Sequence, residues 1–173
     1  MKVCIQPLGE LGRDTLVVLE FLRKSLEKLF GDCEVLEVAE LPAHAYNPAR
    51  DQYNSTAILE SLKPELECDV VLGVVEADLY AGNLNFVFGE AELLGRRAVI
   101  SLARLRPEFY GLPPDSDLLK LRALKEAVHE IGHVLGLRHC PNECVMRFSN
   151  SIIEVDEKPW WFCGECLRRL GLG

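Results

Sequence analysis

No stretch of the 173 residues approaches the roughly 20 uninterrupted apolar side chains of a bilayer-spanning helix, which excludes a membrane helix and predicts a soluble chain. The opening residues Met1 to Pro7 carry no apolar core with a small-residue cleavage site, so they read as a first strand and predict a protein kept in the cytoplasm. Positive charge is in deficit: 19 Lys and Arg stand against 27 Asp and Glu, for a net charge of −8. Residues 138–173 hold as many basic as acidic side chains, so the whole acidic excess lies before them and no segment offers the basic surface a nucleic acid requires. Histidine is scarce, with four in the chain, and three of the four fall between positions 129 and 139. The fourth, His44, sits in Leu-Pro-Ala-His-Ala-Tyr and reads as an exposed loop residue.

Apolar residues at 49% and charged residues at 27% give an ordinary globular balance, and the length suits one domain spanning 1–173. Residues 1–136 would carry the sheet and the helices up to the histidine cluster, with 137–173 as a C-terminal segment. Asp14 can cap a helix in which Leu19, Leu22, Leu26 and Leu29 recur at helical spacing, and Gly31 stands just past its end. Glu34 to Val38 alternates as a strand, residues 54–63 suit a short helix stopped by Pro64, and Val70 to Val75 reads as a central strand buried on both faces. After the Gly82-Asn83 turn signal, Leu84 to Phe88 alternates as a strand with one exposed face would, which suits an antiparallel edge, and Ala98 to Leu102 supplies one more strand. Helices alternating with strands in this way predict an α/β fold with a mixed, mostly parallel sheet. The Asp115-Ser116-Asp117 cluster opens a long helix with its apolar stripe on Leu118, Leu121, Leu124, Val128, Ile131 and Leu135.

That helix carries the chemistry. His129 and His133 are four apart, so on a helix they lie about 40° from eclipsed and about 6 Å apart along the axis, within reach of one ion. Glu130 lies about 100° round from His129, too far to chelate beside the histidines but suited to a water on the metal's open side. A straight helix would carry His139 away; Gly136 permits a reversal with positive φ that swings His139 back as a third ligand. The pattern predicts a catalytic zinc on His129, His133 and His139, with Glu130 as general base. Glu126, one turn earlier, could support the site but reads first as a solvated carboxylate.

Cys140 and Cys144 follow directly, and Cys163-Gly164-Glu165-Cys166 comes later: two close pairs of thiolates, the pattern of a closed structural Cys4 zinc. A mixed site at the His139-Cys140 junction is disfavoured, because adjacent side chains in an extended link point opposite ways. Cys4, Cys33 and Cys68 fit reduced cysteines packed in the core, in keeping with a reducing compartment.

Together, His129-Glu130-x-x-His133-x-x-Gly136-x-x-His139-Cys140-x-x-x-Cys144-x-Met146 with Cys163-x-x-Cys166 resembles the archaemetzincins, members of the metzincin clan with an added cysteine site. The resemblance implies a zincin-like fold, two zinc ions per chain, the Met-turn role for Met146, an edge strand bordering the cleft, and action on a peptide or protein substrate. The mechanism implied is attack by a zinc-activated water that Glu130 deprotonates. A zinc-stabilised adaptor without turnover is the alternative, and a nucleic-acid-binding zinc module is disfavoured by the acidity. Substrate specificity and oligomeric state are left open.

Overall fold

Val70 to Val75 is apolar and β-branched on both faces, and accordingly it becomes the fully buried centre of a five-stranded sheet. The computed structural model describes residues 1–64 and 67–172. In chain order the elements are β1 (Lys2–Leu8), α1 (Thr15–Phe30), β2 (Asp32–Val35), β3 (Tyr46–Asn47), β4 (Gln52–Asn54), α2 (Ser55–Ser61), β5 (Val70–Val75), β6 (Leu79–Tyr80), β7 (Gly89–Ala91), β8 (Arg97–Ser101), α3 (Ser116–Val134), α4 (Ile152–Glu157) and α5 (Gly164–Arg169). The main sheet runs β2-β1-β5-β8-β7, parallel except for β7, which pairs antiparallel to β8 at its edge. The mixed α/β architecture and the antiparallel edge are those the sequence predicts. A second, small sheet joins β3, β4 and β6.

Side-chain alternation divides the core into two layers. Val3, Ile5, Leu72, Val74 and Ile100 face α1 and α3, while Cys4, Leu8, Val71, Val75 and Val99 face α2 through Ile58 and Leu59. Each such side chain contributes about 1.5–3 kcal/mol by leaving water, so the two layers dominate the stability of the sheet. The face covered by α3 also takes in Cys140, Val145, Met146, Phe162 and Cys166, which packs the C-terminal segment onto the same core. No helix among the described residues is long and apolar enough to cross a membrane.

Four expectations change. Residues 84–88 form no strand beyond a single Leu79–Val87 bridge; pairing with β8 starts only where Phe88 O accepts from Ser101 N, and the edge strand is Gly89–Ala91. The alternating side chains of 84–88 serve a loop instead, held by Arg50 and Gln52, which donate to the Leu84 and Asn85 carbonyls. Asp14 stands at the start of α1 without a side-chain cap, because its carboxylate is taken by Arg106 at 2.9 Å. Leu121 lies exposed and Leu119 takes the core position, since α3 is buried on almost every side from Arg122 onward and a single stripe does not describe it. Finally, Cys4 and Cys68 are not separate reduced thiols: the β1–β5 register, Val3 opposite Val70, brings their Cα atoms to 5.8 Å, and they form a disulfide. Cys33 remains free and buried, which pushes its thiol up to about 12.

Candidate active site

The Asp115 carboxylate caps α3 through Leu118 N at 3.1 Å, and the helix then carries His129, Glu130 and His133 into its last two turns. It stops at Val134. Gly136, at φ +105°, donates to His133 O at 3.0 Å, and Leu137 donates to Gly132 O at 2.9 Å, the paired bonds of a Schellman ending. The reversal predicted at Gly136 therefore occurs, and His139 returns so that one ring nitrogen from each of His129, His133 and His139 lies within 4.8 Å of the others.

Hydrogen bonds orient two of the rings. His129 Nδ1 lies 2.7 Å from Val145 O, and His133 Nδ1 lies 2.7 Å from Leu137 O. A carbonyl only accepts, so each Nδ1 must be the protonated nitrogen, and both Nε2 atoms present lone pairs to one another at 3.2 Å. Two lone pairs at that distance repel unless a cation stands between them. Burial holds the imidazoles neutral, His129 well below its ordinary value, and the positive charge of Lys158 adds to this at all three rings. Neutral imidazoles aimed at one point are what a divalent ion such as zinc requires.

Glu130 projects beside them against Gly89, the first residue of β7. A Cβ at Gly89 would stand 2.9 Å from Glu130 Oε1, so that glycine keeps the edge strand close while leaving the carboxylate room. Burial first, then the neighbouring Glu126 carboxylate, drives Glu130 well above the carboxylate range, and Lys158 opposes them. The cleft in front, about 480 Å³, is lined by these residues and by Glu90, Phe148 and Ser149. Phe148 lies against His139, with ring centroids 5.2 Å apart.

Gly132 is the residue sequence reasoning passed over. It sits inside the helix between the two histidines, where a methyl group would drive into Met146 Sδ and come within 3.0 Å of Phe162. An isolated glycine inside a helical pattern was the available signal. Met146, fully buried, thus packs under the histidine-bearing turn. Gly132→Ala should lower stability by about 1–3 kcal/mol despite its better helix propensity, and adding Met146→Ala should restore part of the loss. Thermal melts of both variants check this; an unchanged single variant would show that the contact is slack.

Glu126 departs from its expected solvated state. It is buried, and its Oε1 lies 3.0 Å from Lys158 Nζ, itself buried, in an ion pair that sequence spacing gave no means of finding.

The four paired cysteines also converge. Their sulfurs lie within 4.8 Å of one another, with Cys140 Sγ 3.8 Å from Cys163 Sγ, close to the edge of a tetrahedron with roughly 2.3 Å zinc–sulfur bonds. Cys144 Sγ receives the amides of Met146 and Cys163 at 3.4 and 3.3 Å, as thiolate ligands do. The Cys166 amide at the start of α5 holds Cys163 down at about 6, whereas burial pushes Cys144 and Cys166 up. His139 and Cys140 fall in different groups, so the mixed arrangement does not form. Both groups are compatible with zinc.

A model of the family described as Peptidase family M54 matches residues 11–171. The chain is 62% identical over 171 residues to an archaemetzincin of Methanocaldococcus jannaschii, covering 98% of this chain and 93% of that one. Two crystal structures are similar along nearly the whole chain. Archaemetzincin from Archaeoglobus fulgidus, complexed with malonate, superposes with a TM-score of 0.87 at 50% identity, covering 98% of this chain and 99% of that one. Archaemetzincin from Methanopyrus kandleri gives 0.85 at 40% identity, covering 99% and 93%.

Proposed function

The chain belongs to peptidase family M54, the archaemetzincins, and is a zinc metallopeptidase acting on a peptide or protein substrate; we propose that His129, His133 and His139 hold its catalytic zinc and that Glu130 is its general base. The observation that carries this reading is the pair of Nδ1-to-carbonyl bonds that aims two unprotonated Nε2 atoms at each other across 3.2 Å. Zinc, when bound there, would acidify a water and polarise the substrate carbonyl. Glu130 faces the same cleft from the edge-strand side, placed to take the proton of an attacking water and to pass it to the leaving amine. Cys140, Cys144, Cys163 and Cys166 hold a second, structural zinc. We take residues 1–173 as one domain, a reading supported by the shared core of the sheet and the C-terminal segment.

Metal removal tests this reading. The protein should contain two zinc ions per chain, lose hydrolysis of a mixed peptide library on dialysis against a chelator, and regain it with one equivalent of zinc while the cysteine site stays filled. Undiminished hydrolysis by metal-free protein would exclude a metal mechanism.

A further inference from the structure

Among the described residues two buried side-chain oxygens lack a hydrogen-bond partner, Glu126 Oε1 and Ser149 Oγ, and both residues line the active-site cleft. Such atoms lower stability unless something else satisfies them. Glu126 Oε1 does have the Lys158 ammonium 3.0 Å away, but off the line of a hydrogen bond. Among the described residues the other close acceptor of that ammonium is Arg147 O, at 3.4 Å. With three N–H donors, Lys158 therefore holds a cationic donor in reserve at the cleft wall.

Its placement is built. Arg122 grips the Asp156 carboxylate with two bonds of 2.8 and 2.7 Å, and Lys125 donates to the Val155 and Asp156 carbonyls at 3.0 Å each, fastening the end of α4 to α3 just before Lys158. The Lys158 side chain is 1% exposed. Burying an ion pair gains little stability over apolar side chains of the same volume, so packing alone does not account for it. Glu126 and Glu130 are one helical turn apart on α3, and Lys158, paired with the first, lines the same cleft as both.

We propose that Lys158 is a further catalytic residue, whose ammonium, steadied by Glu126, hydrogen-bonds the oxygen of the scissile carbonyl as negative charge develops on it. This rests on the reading of the cleft as the peptidase site. As the water oxygen bonds to the carbonyl carbon, the C=O π pair moves onto oxygen and Glu130 takes the water proton. When the C–N bond breaks, the pair returns and Glu130 protonates the amine. Lys158 donates a hydrogen bond throughout and gives up no proton. Such a donor acts most strongly on the charged tetrahedral state, because an ammonium gains little from a neutral carbonyl.

The test separates this role from a merely structural one. Glu126→Gln/Lys158→Met removes both charges together, leaving no buried charge unpaired, and Glu126→Met/Lys158→Met serves if the first melts too low. Two probes are bound to each protein: a phosphinic pseudopeptide, which carries a tetrahedral P–O⁻ at the scissile position, and the matching peptide, bound in a Glu130→Gln background. With both zincs retained, the double variant should bind the phosphinate about 10- to 100-fold more weakly and the peptide within about twofold of the parent. The kcat should fall in step while KM holds, and Glu126→Gln alone should keep most phosphinate affinity. Unaltered phosphinate binding, or an equal loss for both probes, overturns the proposal. A parent that hydrolyses nothing counts against the peptidase reading, and the phosphinate comparison still decides Lys158.

Discussion

Replacing Glu130 by Gln lowers peptide hydrolysis by about 10²- to 10⁴-fold while two zinc ions stay bound, if Glu130 acts as general base. The substitution keeps side-chain length and helix preference, so the close fit against Gly89 and the ends of α3 should be unaffected. What disappears is a proton acceptor at the cleft. The carboxylate is held in an environment that by burial and by its neighbour Glu126 favours the protonated form, so it binds a proton more firmly than a solvated carboxylate. Metal content by elemental analysis and turnover of a mixed peptide library measure the two halves. Hydrolysis equal to the parent would remove Glu130 from the mechanism. A parent that binds two zincs and cleaves nothing, with a partner bound equally by the Glu130→Gln protein, would favour an adaptor instead.

Cys144→Ser should have the larger effect on the fold. Cys144 is fully buried, its sulfur accepts two main-chain amides, and the shorter, harder serine oxygen is a poor replacement for a thiolate on zinc. Structural zinc of this kind contributes about 10–16 kcal/mol to folding in small zinc modules, so even partial loss should lower the melting temperature by roughly 10 °C. The damage should spread to the catalytic site by a short route. Cys144 orders the Val145-Met146 turn, Val145 O orients His129, and Met146 packs on Gly132. The expected protein therefore holds less than two zincs per chain, with the histidine site weakened although none of its ligands was changed. Full zinc content with an unshifted melting temperature would exclude a structural metal on these cysteines.

The sequence by itself determined whatever is local. Helical periodicity puts His129 and His133 on one side of α3, glycine chemistry ends the helix at 136, and the central strand at 70–75 follows from its unbroken apolar run. Those features need only spacing and backbone preference, and the Cys-x-x-Cys pair at 163 and 166 is legible for the same reason. Tertiary structure decided what depends on register and on which distant segments meet. The disulfide of Cys4 and Cys68 follows from the parallel alignment of β1 with β5, which no spacing reveals. The alternation of residues 84–88 looked like a strand because period-two patterning is the same for a strand and for an extended loop, and only the hydrogen bonds with β8 place the edge at Gly89–Ala91. Glu126 looked solvated because a carboxylate on a helix is solvated by default, and it is buried only because α4, pinned by Arg122 and Lys125, delivers Lys158 from 32 residues away. Helix geometry decides which side chains share a face, whereas the charge and room around them come from chain segments that meet only after the sheet has formed.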